Sequence, residues 1–228
     1  MNEESLEFLN GAYPYFKMLE KINLTFQELV VENTRNSPYQ NEQLLYTIVT
    51  ELIRLYPVKI PTNENGDIDY SKVRLNNSDG ILLLKDHIPF LQDDYKKIIT
   101  NKNYIDALQV LLIIRNKYTH EPHNMRFACS VGGENSYSIG MYYKDELFTT
   151  STTIIINIIF ELNVIFKKIK KLYVETADSL DKKYKEYPCY KTISKMRITE
   201  HNNNYTRLPW DYLAFDKDVL WEGKTNEN

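Results

Sequence analysis

Arg115, Asn116 and His120 close the most apolar helical stretch of the chain, in the run IIRNKYTHEPH over residues 113–123. A guanidinium supplies a permanent cation with a planar fork of donors that matches phosphate or carboxylate oxygens. An imidazole exchanges a proton near neutral pH and serves as general acid or base. Asn116 lies four residues before His120, so on a continuing helix the two share a face, and the amide can orient the ring or donate to an oxyanion. The same residues also compose an ordinary helix stop: basic groups in the last turn complement the dipole, and Pro122 just beyond ends the helix. His120 and His123 form an H-x-x-H pair, but without a companion cysteine or a well-placed carboxylate it is a poor zinc signal, so neither a metal site nor a cofactor is expected.

The elements that must carry these groups read as mostly helical. Residues 15–32 place Phe16, Leu19, Ile22, Phe26 and Leu29 at helical spacing, and the NSPY segment is expected to end that helix at Pro38. A second helix is expected over 42–56, a shorter third within 81–100 that breaks or starts near Pro89, and a fourth over 104–120. The fourth is apolar almost all round, so it must be covered on every side, at the centre of a bundle or by a partner subunit. Between the second and third helices, residues 57–80 form a polar, turn-rich excursion. RFACSV, GGEN and SYSIGMYY have the alternation and central turn of a β-hairpin near 126–143. A fifth helix follows over 151–177.

Composition bounds the class. With 228 residues, 43% of them apolar, the chain can bury one full core. Seven glycines argue against a sandwich of many tight turns. The formal charge of −3 excludes a generally basic protein, so a polyanion would have to be met by a local patch. Cys129 and Cys189 lack metal-ligand spacing and are read as buried or idle; two cysteines suit a reducing compartment, by default the cytoplasm. The N-terminus is acidic where a secretory signal is basic, and the IIINIIFELNVIF stretch is interrupted by Asn157, Glu161 and Asn163, so no membrane association is expected. His87 and His201 read as structural or surface residues.

The R-N-x-x-x-H arrangement of Arg115, Asn116 and His120 at the end of a buried helix resembles the signature of the HEPN superfamily, small α-helical bundles rich in ribonucleases. That pattern is R-x(4 to 6)-H, commonly with a polar residue after the arginine, and the three residues match it without a gap. The likeness extends over the fourth and fifth helices and, for the earlier ones, to their order and number. It implies an all-α, HEPN-like bundle of about five helices, with a β-hairpin insertion before the last long helix. The bundle would span residues 1–177, and an irregular, basic and aromatic tail over 178–228, with Trp210 and Trp221, would pack on it. It also implies a homodimer in which two motifs face each other across a cleft, and RNA cleavage without metal. His120 would then be general base or acid for attack by the substrate's 2′-hydroxyl, Arg115 would stabilise the dianionic transition state, and Tyr118 would stack on a base or stand by as an accessory with His123.

Lys167, Lys168, Lys170 and Lys171 open a local basic patch that runs to Arg197, with tyrosines interleaved, as in a surface that grips phosphates and stacks bases. A solvated helix face has the same composition. The expectation is therefore a metal-independent endoribonuclease in a toxin or phage-defence setting, with RNA, a second copy and an antitoxin or nucleotidyltransferase as candidate partners. The alternative is a non-catalytic HEPN-like module that binds nucleotide, RNA or a protein.

Overall fold

A computed structural model describes residues 2–32, 35–131 and 137–180. Its core is built by α1 (Asn2–Glu32), α2 (Pro38–Leu55), α3 (Leu91–Ile99), α4 (Lys102–His120) and α5 (Thr152–Asp178). Phe8, Ala12, Phe16, Leu19, Ile22, Phe26 and Leu29 keep three- and four-residue spacing along α1 and are all buried, which gives that helix one apolar stripe. The stripe packs along α2 and α5, while α4 packs on α2 and α5 and α3 bridges α4 and α5. The architecture is thus mainly helical, as expected. It is not purely α, because two small antiparallel sheets are part of it.

Two boundaries differ from expectation for local reasons. α1 begins at Asn2 and passes through Pro14, because Leu6, Phe8, Leu9 and Ala12 continue the stripe and their burial outweighs the lost backbone bond. Pro38 opens α2 and does not close α1. Ser37 caps that helix through its side chain, and Gln40 returns a bond to the Ser37 backbone at 2.8 Å, a reciprocal box with proline at the first helical position.

The excursion after α2 is ordered. β1 (Val58–Lys59) pairs with β2 (Arg74–Leu75), Asn63 accepts from the amides of Asn65 and Asp67, and Gly66 takes φ of 88° in the turn between them. Val58, Ile60, Ile68, Val73 and Leu75 pack on the core. The Tyr70 hydroxyl donates to Asp106 on α4. An apolar crevice of about 10 Å³, room for roughly one water, lies among Ile53, Tyr56, Val58, Ile60, Leu108 and Leu112.

β3 (Met125–Val131), β4 (Tyr137–Tyr143) and β5 (Glu146–Ser151) form the second sheet in that order. The hairpin was legible, and β5 is an additional strand. Lys144 reaches φ of 54° in the tight turn between β4 and β5. Gly140 is required where β4 meets β5, since a Cβ there would lie 1.9 Å from the Phe148 carbonyl oxygen. Met125, Ile139, Met141 and Tyr143 turn one face into the core, and the sheet rests against α2, α4 and α5. The expected tail lies outside the described residues except for its first three positions.

α4 is buried on one side through Ile105, Ala107, Leu108, Leu111, Ile114 and Tyr118. Val110, Leu112 and Ile113 are only half-buried, so one protomer does not cover this helix all round. Among the described residues no helix is long and apolar enough to cross a membrane.

Candidate functional site

α4 starts under an Asn101 cap, whose side chain accepts from the Asn103 amide at 3.1 Å, and it ends at His120, where Glu121 leaves helical geometry ahead of Pro122. The motif therefore occupies the last turn and a half. Arg115 and His120 are about 140° apart around the axis at 3.6 residues per turn, whereas Asn116 and His120 are nearly aligned. The arginine crosses that gap. Its Nε and one terminal nitrogen both donate to the Asn116 Oδ1, at 3.1 and 2.8 Å. Asn116 thus holds the guanidinium toward the side of the helix that carries the histidine, a different role from orienting the imidazole. The other terminal nitrogen of Arg115 has no protein partner among the described residues. Asn116, His120 and His123 are exposed and Arg115 is half-buried.

Tyr118 belongs to the interior. It is 8% exposed, its ring stacks on Tyr46 of α2 at 4.6 Å, and its hydroxyl accepts from Gln43. A base cannot reach it, which corrects the stacking role. Burial first, then the charge of Glu42, raises its pKa above the ordinary phenol value, so it stays neutral. Tyr46 also meets Thr119 Oγ1 at 3.2 Å, and Thr119 donates to the Arg115 carbonyl at 2.7 Å. Gln43 and Tyr46 therefore fix the height and rotation of the motif from α2. Sequence reasoning missed both, because they act from 75 and 73 residues away.

The turn after α4, Pro122–Asn124, leads straight into β3. There Arg126 donates from one terminal nitrogen to the carbonyls of His123 at 3.1 Å and Met125 at 2.6 Å. Lys117 stands 4.3 Å from the centre of the Tyr143 ring and Lys144 4.9 Å from it. The Glu121 carboxyl next to His120 is engaged: bonds from Tyr143 and then Asn124 hold it below the usual carboxylate range. The cations Lys117, Arg126 and Lys144 around the motif were not singled out beforehand. Lys117 and Lys144 meet only through the Tyr143 ring, which separation in sequence hides.

The four lysines of α5 do not form one open track. Lys170 is 7% exposed, on the flank that also buries Phe166, Ile169 and Tyr173. Lys168 bonds Asp94 at 2.5 Å and lies over Phe90, and Lys171 pairs with Glu175 at 3.9 Å. Lys167 is exposed. The remainder of the patch, from Asp181 onward, lies outside the described residues.

Of the two readings of Cys129, buried or idle, burial does not hold: it is exposed, and partial desolvation raises its thiol above the ordinary value. His87 stacks on Phe8 at 6.2 Å, in keeping with a structural role. Among the described residues no three His, Cys, Asp or Glu side chains are grouped so that they could hold a metal ion. No family model, no curated protein and no solved structure matches the chain.

Proposed function

We propose that the protein is an endoribonuclease that cleaves RNA by attack of the substrate's own 2′-hydroxyl, with Arg115 and His120 as the reacting pair. The observation that carries this reading is the Asn116 clamp on Arg115. A clamped guanidinium with one terminal nitrogen left over is organised to meet a phosphate oxygen without first losing side-chain freedom. His120, exposed at the last helical position, has room to take the 2′-hydroxyl proton or return one to the leaving 5′-oxygen. A single protomer leaves these groups open to water. A second copy facing α4, across half-buried Leu112 and Ile113, would close the site into a cleft and sharpen its electrostatics.

The test is cleavage of single-stranded RNA by the purified chain with EDTA present. Products ending in 2′,3′-cyclic phosphate are expected, and His120→Ala should abolish them without loss of folding, since that side chain is exposed at the end of α4. Activity that disappears with EDTA, or survives in His120→Ala, contradicts the proposal and leaves a non-catalytic binding module in its place.

A further inference from the structure

The outer face of the second sheet carries a second feature beside the motif, one that the reacting pair does not use. In the pairing register Arg126 lies opposite Tyr142, and Tyr142 opposite Leu147, so the three form one row across the strands. Tyr142 is 45% and Leu147 46% exposed, large apolar groups that the fold leaves in water. The next row on that face is Ala128, Gly140 and Thr149, about 7 Å further along the strands.

We propose that this row is a docking subsite for a nucleotide flanking the cleavage point, with the base stacked on Tyr142 and Leu147 and its phosphate against Arg126. The inference rests on the ribonuclease reading for the identity of the strand, single-stranded RNA. Two observations favour that occupant. First, Arg126 is tied to the His123 carbonyl, and only the short Pro122–Asn124 turn joins this end of β3 to the end of α4 that carries His120. Second, Arg126 spends one terminal nitrogen on the carbonyls of His123 and Met125, which fixes the guanidinium and leaves its other nitrogens for an anion. An exposed aromatic beside a fixed cation suits a base and its phosphate, because every base offers a π face whatever the sequence.

A 2′-O-methyl oligonucleotide, which cannot be cleaved by its own hydroxyl, separates docking from chemistry. Its binding to the full chain would be followed by fluorescence anisotropy across a salt series. Tyr142→Ala should weaken binding on the order of tenfold, Tyr142→Phe should retain it, and Arg126→Gln should reduce the salt slope by about 0.7, the value for one lost phosphate contact on a single strand. Equal binding by wild type and Tyr142→Ala overturns the subsite, even if natural RNA is still cut. Tyr142-dependent binding without any cleavage of natural RNA upholds the subsite and rejects the ribonuclease reading. A Tyr142→Ala protein that instead changes its solution mass, with no oligonucleotide bound by wild type, makes the face a contact between copies and also overturns it.

Discussion

At the scale of single residues, the end of α4 divides its side chains by direction. Tyr118 turns inward to Tyr46 and Gln43, while Asn116 and His120 turn outward. Arg115 is held between the two sets by Asn116. Removing the clamp should therefore act through the arginine. Asn116→Ala is expected to lower the cleavage rate on the order of tenfold and to leave the melting temperature unchanged, because the exposed amide supports no core packing while the guanidinium must be reorganised for each turnover. Arg115→Ala should cost at least on the order of a hundredfold, by the scale of a lost oxyanion donor, and Arg115→Lys should not restore it, since an ammonium has no fork for both Asn116 and a phosphate. Steady-state kinetics on one RNA checks all three. A rate in Asn116→Ala equal to wild type would remove the clamp from the mechanism.

At the scale of elements, two polar contacts fix how the helices meet. Asn23 of α1 and Asn163 of α5 are buried and exchange amide hydrogen bonds at 3.1 Å in both directions, and Asn163 also donates to the Ile159 carbonyl at 2.8 Å. A sequence reader sees Asn163 only as a polar break in an apolar run. Asn163→Leu should destabilise by ~1–3 kcal/mol, because it strands the Asn23 amide without a partner, whereas changing both to leucine should recover much of that loss. Urea denaturation of the two variants gives the comparison, and equal losses would show that the pair is not coupled. The second contact joins α3 to α5. Burial alone would raise the Asp94 carboxyl, but bonds from Lys168 and Lys97 outweigh it and hold the group below its ordinary value. A depressed carboxyl stabilises the fold above its unfolded pKa, about 4, and that contribution is lost as pH falls through the lower folded value. Acid denaturation monitored by circular dichroism should thus be less steep below about pH 4 in Asp94→Asn than in wild type; identical acid limbs would contradict the assignment.

At the scale of the whole molecule, α4 is the organising element and is incompletely covered. α2, α5 and the β4–β5 part of the second sheet cover much of it, and its exposed strip bears Asn116 and His120. The proposed homodimer would use that strip. A light-scattering mass of two chains at micromolar concentration is expected, with loss of both dimer and cleavage in Ile113→Asp, since a carboxylate buried against a partner is costly. One chain's mass in wild type would reject the arrangement.

Much of this was determined by the chain alone. Helical periodicity marks five helices because each must bury one stripe, and the alternation of RFACSV and SYSIGMYY marks the hairpin. Arg115, Asn116 and His120 were legible as a group because a single helix carries them, so sequence distance maps directly onto space. The remainder depended on contacts between distant segments. Burial extended α1 through Pro14, and a reciprocal cap turned Pro38 from a stop into a start. Packing against α2 took Tyr118 out of the site, and the inner flank of α5 took Lys170 from the basic track. Strand register set Arg126 beside Tyr142. In each of these cases the deciding energy is a partner's surface, and which partner a side chain meets is a property of the folded chain that local spacing does not encode.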